Sequence, residues 1–180
     1  VINADDRTYM GSPHPDFTGG LNFNLSYKGF RLSTRLYTSF GNELFNSTKR
    51  YLDFNAYQGN RGHERLYESW GSPYLDNNEN ATIPKAEIND QNSQKCSDYF
   101  LEDGSYLRME NLKLSYNLAN LFEGKTLRNL TLYTQITNVF TMTNYTGLDP
   151  EVNASGMSSG LDQGIWPMSR QLLFGVNLGL

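Results

Sequence analysis

From about residue 18 onward, apolar and polar side chains alternate along the chain. Leu21, Phe23, Leu25 and Tyr27 are separated by single polar residues, which is the two-residue period of a β-strand with one apolar face. The same period returns in four later segments. The pattern therefore predicts five strands, at about 18–28, 30–40, 106–118, 128–140 and 168–180.

The connections between these segments differ sharply in length. Lys28-Gly29 predicts a two-residue hairpin turn, since glycine adopts the backbone angles that a tight turn needs. Residues 119–126 are predicted to form a second short reversal. Residues 41–105 and 141–167 lose the period and are rich in polar residues, Gly and Pro, so we predict two long loops. Compact soluble domains rarely carry about 60 residues without regular structure.

The third strand contains a change of phase. Leu107 and Met109 are apolar at odd positions, whereas Leu112 and Leu114 are apolar at even positions. A β-bulge near Glu110-Asn111 would return both groups to one face, because it adds one residue to one strand.

Loop lengths alternate between long and short, which places every short connection at one end of the strands. Outer-membrane barrels have this arrangement, with short periplasmic turns and long extracellular loops. A soluble β-sandwich explains the alternation equally well, but it does not explain the loop lengths. The sequence therefore predicts an all-β fold, in which five antiparallel strands form the C-terminal portion of a transmembrane outer-membrane β-barrel and residues 1–180 all belong to it.

Two arginines in the second strand indicate which face is which. Arg31 and Arg35 lie opposite the apolar residues of that strand, and an arginine facing lipid at mid-bilayer costs about 2–4 kcal/mol. We therefore expect the charged face to line the lumen and the apolar face to contact outer-membrane lipid. Lumen-facing residues are expected to pair with one another or to line a permeation path. The candidates are Arg31, Arg35, Tyr37, Arg108 and Glu110.

Composition excludes several other classes of protein. The chain has 12 Tyr, 10 Phe and 16 Gly, and its formal net charge is −4. Because it contains no run of Lys or Arg, we expect no nucleic-acid partner. Cys96 has no second thiol for a disulfide or a zinc site. The sequence contains no stretch of about 18 apolar residues, so it predicts no transmembrane helix. Because five strands cannot close a barrel, for which about eight are needed, we expect further strands upstream of Val1.

Catalytic chemistry is not indicated. His14 and His63 are far apart in sequence and have no nucleophile signature around them, and acidic residues such as Glu43 lie in loops, so we expect no enzyme. Residues 1–6 could be the end of a calcium loop with Asp6 as a closing acidic ligand, which makes calcium a candidate cofactor. No other cofactor is expected.

Several motifs, taken in this order, resemble the C-terminal region of the SusC/RagA family of TonB-dependent outer-membrane transporters. They cover most of the chain apart from the middle of the first long loop. The matching stretches are 5–11, 15–20, Leu25-Ser26-Tyr27-Lys28-Gly29-Phe30, Gly41-Asn42, Asp103-Gly104-Ser105-Tyr106-Leu107-Arg108, Thr137-Asn138-Val139-Phe140, Tyr145-Thr146-Gly147-Leu148-Asp149-Pro150-Glu151-Val152 and the closing strand.

The resemblance implies a barrel of about 22 strands with a plug domain upstream. It also implies a SusD-like surface lipoprotein that caps the barrel, energy supplied through TonB by way of the missing N-terminal region, and cargo that is an oligosaccharide or an oligopeptide. Gly175, Leu178 and Leu180 resemble the signal that the barrel-assembly machinery recognises, although the chain ends in Leu where the usual pattern has Phe.

Exposed aromatic residues in the loops are the candidates for contact with cargo or with the lid. Carbohydrate binding uses aromatic faces together with polar side chains, and the loops offer Trp70, Tyr74, Tyr145 and Trp166. These rings could instead pack the loops or form the interfacial girdle of a barrel. A barrel that serves as a scaffold or secretion component without importing anything is the alternative to a transporter.

Overall fold

The computed structural model describes residues 4–54, 61–87, 95–118, 129–152 and 156–179. The chain divides into two compact units. The sheet unit consists of His14–Asn42, Asp103–Tyr145 and Trp166–Leu180. The loop unit consists of Val1–Pro13, Glu43–Glu102 and Thr146–Ile165.

The described residues contain strands and two short α-helices. In chain order these are β1 (Phe17–Tyr27), β2 (Phe30–Phe40), β3 (Glu43–Asn46), α1 (Lys49–Asp53), α2 (Glu64–Tyr67), β4 (Leu101–Asp103), β5 (Tyr106–Asn117), β6 (Asn129–Thr143), β7 (Leu161–Asp162) and β8 (Gln171–Gly179). Within this part of the chain, no helix has the length and apolar character needed to cross a membrane.

The sheet unit is built on one antiparallel sheet in the order β1-β2-β5-β6-β8. Its long strands correspond to the five segments of alternating sequence, so the all-β prediction with five antiparallel strands is confirmed. Each strand pairs with the one that follows it in the sheet without a crossover, as short turns and long loops allow.

One face of this sheet is apolar from edge to edge. The register aligns Tyr27, Phe30, Tyr116, Leu132 and Val176 in a row across all five strands, and directly opposed residues share a face. Neighbouring rows consist mainly of Leu, Met, Phe and Ile, with Thr34 and Thr134 among them. Many of these side chains are exposed, Phe174 to 77%, and the others are half-buried. A sheet of this size with a bare apolar face lacks the covering layer that a water-soluble domain requires.

The opposite face is polar and carries the charges. One row across it is Ser26, Arg31, Ser115, Tyr133 and Gly175. A second row runs through Arg35, Asn111, Thr137 and Gln171, and a third joins Tyr37 to Arg108 and Thr141. The side-chain period of two therefore sorts the strands into one apolar and one hydrophilic surface.

The first hairpin has the turn that the sequence predicts. Lys28 and Gly29 both have positive φ, +44° and +89°. Two consecutive positive values are those of a type I′ turn, whose twist matches the right-handed twist of the paired strands. The turn sets the register in which Tyr27 lies opposite Phe30.

The predicted bulge is also present. The register between β2 and β5 shifts at Arg35/Leu36, because Arg35 pairs with Asn111 while Leu36 pairs with Met109. Glu110 is the extra residue. The bulge keeps Met109 on the apolar face and Asn111 on the polar face, as the change of phase in the sequence requires.

Two strand ends differ from the prediction. β6 continues to Thr143 because β5 remains paired with it as far as Tyr106, and β8 begins at Gln171 instead of residue 168. Before Gln171 the chain bonds to Asn138, whose φ is +52°. The side-chain amide of Asn138 donates to the backbone carbonyl of Ser169 at 2.9 Å, and Arg170 Nε donates to the backbone carbonyl of Asn138 at 3.3 Å. Residues 119–128 and 180, which include the second predicted turn, lie outside the described residues.

The expectation that residues 41–105 lack regular structure is wrong. This segment supplies β3, α1, α2 and most of the loop unit. The small sheet β4-β3-β7 and a core of Leu44, Phe54, Ile83 and Phe100 stabilise it. Phe54 and Phe45 place their rings 5.8 and 5.3 Å from that of Phe100. The elements are too short to show a period, so tertiary packing decides them and not local pattern.

Candidate functional site

The polar face of the sheet is the first candidate site, and Arg35 lies at its centre. Arg35 Nε is 2.8 Å from Glu110 Oε2, and the arginine side chain is 60% exposed. The bulge explains the pair, since the extra residue brings the Glu110 carboxylate onto the polar face beside Asn111. Arg31 lies on the same face and is exposed. It is four residues closer to the Lys28-Gly29 turn than Arg35 is. Both arginines therefore lie where the sequence placed them, opposite the apolar side chains.

Arg108 and Tyr37 share that face but are packed into it. Arg108 is only 3% exposed, and its Nε donates to Thr141 Oγ1 at 2.9 Å. Its guanidinium carbon lies 5.3 Å from the centroid of the Tyr106 ring, and Tyr37 is 6.0 Å from the same ring. A buried guanidinium held by an aromatic ring and a hydroxyl braces the sheet and has no free surface for a ligand.

Sequence reasoning missed Lys113 and Tyr133. Lys113 Nζ lies 4.3 Å from the centroid of the Tyr133 ring, and that ring in turn covers Gly175, where any Cβ would overlap the Tyr133 Cζ and Oη atoms. Alternation puts Lys113 on the face opposite to that of Leu112 and Leu114. What it did not supply was the register across β5, β6 and β8, which brings the three residues together.

The aromatic candidates are not equivalent. Trp166 is 89% exposed, and Trp70 and Tyr74 are also exposed. Tyr145 is buried, with 6% of its surface accessible, so it offers no ring to a ligand and its backbone N–H donates to Thr143 Oγ1 at 3.1 Å. Trp70 and Tyr74 belong to the loop unit, whereas Tyr145 and Trp166 belong to the sheet unit.

Tyr74 is part of an exposed ring cluster that the sequence analysis did not identify. Its ring centroid lies 5.3 Å from that of Tyr67, and Tyr67 stacks on His63 at 4.4 Å. The cluster forms because His63 and Tyr67 are four residues apart at α2 and so share one helix face. Such a ring surface can stack on sugar rings or on another protein.

The loop unit contains a charged centre built on Glu102, which is 10% exposed. Lys49 Nζ lies 2.8 Å from its carboxylate. Thr146 donates to the same carboxylate from its backbone N–H at 2.7 Å and from its hydroxyl at 2.8 Å. Burial opposes ionisation of Glu102, but the bonds from Lys49 and Thr146 outweigh it, so the pKa of Glu102 is lowered.

A second carboxyl in this unit behaves in the opposite way. Burial raises the pKa of Asp53, even though Tyr99 Oη donates to Asp53 Oδ2 at 2.7 Å and that hydrogen bond acts to lower it. Burial and the bond to Asp53 also raise the pKa of the Tyr99 hydroxyl. Both carboxyls join segments distant in sequence, so they stabilise the unit instead of presenting reactive groups.

The remaining expected sites concern calcium and assembly. Asp6 lies in a short 3-10 turn at Ala4–Asp6, residues 1–3 are outside the described range, and no group of three or more metal-ligating side chains occurs in the described part of the chain. Calcium at Asp6 stays a prediction. Gly175 lies under Tyr133 and Leu178 is exposed on the apolar face, whereas Leu180 lies outside the described residues.

Comparisons with known proteins agree on one group of relatives. No family model matches the chain. It is 34% identical over 98% of its length to TonB-dependent receptor P3 of Formosa agariphila, and 29% identical over 99% to TonB-dependent receptor SusC of Bacteroides thetaiotaomicron. The chain spans 18% and 16% of the lengths of these relatives.

Solved structures give the same picture. The chain superposes on the RagAB peptide importer in its open-open state with a TM-score of 0.76 at 25% identity, covering 100% of this chain and 19% of the other. The RagAB peptide transporter matches with a TM-score of 0.77 at 26% identity, over 99% of this chain. Likeness therefore extends over both units and not only over the regular strands.

Proposed function

Since this chain is a SusC/RagA-type TonB-dependent receptor sequence, we propose that it forms part of the wall and outer loops of an outer-membrane importer. The importer takes up oligosaccharides or oligopeptides, and TonB supplies the energy through a part of the receptor outside these 180 residues. The relatives are named receptors and importers, and the proposal accordingly contains no catalytic step.

The observation that carries this proposal is the two-faced sheet. Hydrocarbon provides no hydrogen bonds, so a lipid-facing surface must be apolar while the backbone is satisfied by neighbouring strands. The rows through Phe30 and Tyr116 meet that requirement, and the charges of Arg31 and Arg35 are confined to the other face. In water the same apolar surface would be an aggregation hazard.

Each outer strand of the sheet has one edge with no partner among the described residues. β1 pairs only with β2, and β8 pairs only with β6. At an open edge inside a bilayer, each unpaired backbone N–H or C=O group costs several kcal/mol. Additional strands are therefore needed to complete the sheet. We propose that the rest of the receptor provides them and that the finished wall is a closed barrel, which the barrel-assembly machinery inserts.

The loop unit is the part that we assign to the cell exterior. Its exposed rings, Trp70 and the cluster of His63, Tyr67 and Tyr74, supply surface for a SusD-like lipoprotein lid or for cargo. Aromatic residues are over-represented in such contacts because they combine a large apolar area with a polar group.

Deleting the receptor gene from its native cell tests the proposal. Growth on the nutrient served by the receptor, and uptake of a labelled form of that nutrient, should be lost and then restored by the wild-type gene but not when TonB is absent. A scaffold or secretion component predicts unchanged uptake together with altered surface assembly or secretion, and that result would refute import. A soluble sandwich predicts recovery of the protein without detergent.

A further inference from the structure

The polar face of the sheet is positively charged although the chain as a whole is acidic. Formal net charge of the full chain is −4. Within the described strands, however, the face carries four basic side chains and one carboxylate. These residues are Arg31, Arg35, Arg108, Lys113 and Glu110.

Two of the four cations, Arg35 and Arg108, are engaged by other groups of the protein. Glu110 pairs with Arg35, and Arg108 is buried against Thr141 and Tyr106. Arg31 and Lys113 have no ion pair among the described residues, and Arg31 is exposed. They lie on adjacent strands in diagonal positions, since Arg31 pairs with Ser115 and Lys113 with Ser33. Diagonal neighbours are about 7–8 Å apart at the backbone.

The surroundings of this pair suit a solvated, hydrogen-bonding ligand. A cavity of about 430 Å³ opens at the Lys28-Gly29 end of the sheet and reaches Arg31 but not Lys113. Its lining combines polar residues with Tyr27 and Phe30; the polar ones include Ser26, Ser115, Asn117, Asn129 and Thr131. Hydroxyl and amide side chains dominate the rows on both sides. A folded protein partner would favour an apolar and aromatic centre with few charges, whereas the residues directly opposite Arg31 and Lys113 are polar, namely Ser115, Ser33 and Gln135.

We propose that Arg31 and Lys113 form a cationic site for the carboxylates of an anionic oligomer, and hence that this receptor selects acidic cargo. The inference rests on the proposed function, because it takes the polar face to border the import path. Two unpaired cations on a low-dielectric wall concentrate anions near them. Lys113 presents its charge from a fixed position above the Tyr133 ring.

The test uses the full-length receptor with its lipoprotein partner, purified in detergent, and measures binding of four labelled probes. Oligogalacturonate and oligoglutamate carry the carboxylates, and a neutral oligogalactose and oligoglutamine of equal length are their counterparts. The charge-removing variant is Arg31→Gln with Lys113→Gln. Arg31→Lys with Lys113→Arg keeps the charge, and Arg7→Gln with Lys85→Gln changes net charge equally at exposed positions outside the sheet.

We expect the wild-type receptor to bind at least one carboxylate probe roughly three- to tenfold more tightly than its neutral counterpart, as two partly exposed ion pairs allow. The charge-removing variant and high salt should abolish that preference, and both control variants should retain it. The probe that shows it identifies the cargo as saccharide or peptide.

Three results would overturn the inference. They are equal binding of charged and neutral probes, no binding of either carboxylate probe, and loss of receptor stability in the charge-removing variant without a change in probe preference. The last would indicate that an acidic protein segment docks on this face. All three leave energy-dependent import intact, since uptake by cells is measured separately.

Discussion

At the scale of single residues, Tyr133 and Gly175 form a close cross-strand contact. The ring occupies the space where a side chain at 175 would lie, so a larger residue there would have to displace the Tyr133 ring, whereas the backbone conformation itself does not call for glycine. Gly175 also lies in the segment that resembles an assembly signal. A glycine covered by a cross-strand aromatic ring pins the register of the two strands, which gives the residue a folding role of its own.

Gly175→Ala should therefore destabilise the receptor by about 1–3 kcal/mol, the usual effect of overpacking. Thermal unfolding of the detergent-solubilised protein measures this. Gly20→Ala is the matched control, because a Cβ there meets only the Leu36 carbonyl at 3.8 Å. Combining Gly175→Ala with Tyr133→Ser should recover much of the loss. Equal stability of the two alanine variants would contradict the fit described above.

Glu102 makes a prediction that depends on pH. Glu102→Gln should destabilise the loop unit by about 1–3 kcal/mol at neutral pH, because Lys49 and Thr146 lose a charged acceptor. The folded-state pKa of Glu102 is lowered, so the stabilisation is complete above the ordinary glutamate pKa of about 4.3 and is lost as pH falls through the lower folded value.

The measurement is protease resistance of the loop unit in wild type and in the variant at neutral and at acidic pH. The difference between the two proteins should shrink in acid. Asp53 acts in the opposite direction, since its raised pKa favours the folded state as pH falls. Comparing Glu102→Gln with wild type at each pH removes that contribution. A difference that grows in acid would show the sign to be wrong.

At the scale of elements, Asn138 of β6 bonds to the two residues that precede β8. It combines a left-handed backbone with a side-chain bond to Ser169. Asn138→Gly should lose only the hydrogen bond, at about 0.5–1.5 kcal/mol, and Asn138→Ala should lose that and also strain the backbone by roughly another 1 kcal/mol. Stability in urea distinguishes the two, and an alanine variant as stable as the glycine variant would mean that backbone strain contributes nothing.

Local pattern was sufficient for the regular elements and insufficient elsewhere. Alternation, the Lys28-Gly29 turn and the phase change at Glu110 each have a cause within a few residues, and each is present in the structure. The elements of the loop unit are short and depend on contacts such as Lys49 with Glu102, which are distant in sequence. The site showed the same division. Arg31 and Arg35 followed from parity, whereas the contact of Lys113 with Tyr133 required the register, and the burial of Tyr145 required the packing of the folded chain.

At the scale of the whole molecule, the assignment of lipid and water to the two faces can be tested with adjacent residues. Phe23 lies on the apolar face and Asn24 on the polar face of β1. If the apolar face contacts lipid, Phe23→Arg should destabilise the receptor by about 2–4 kcal/mol and Asn24→Arg should have little effect. The amount of each variant recovered in the outer membrane and its urea stability in lipid vesicles report this. Equal behaviour would refute the assignment.

The bulge has a consequence for how this sheet can change during evolution. In every other paired position of β2 and β5 a single insertion or deletion would turn all later side chains towards the wrong surroundings. Removing Glu110 would not, because Met109 and Asn111 already point in opposite directions and would then alternate normally. The residue lost would be the ion-pair partner of Arg35. Related receptors are thus expected to vary in length by one residue at this point more readily than at its neighbours.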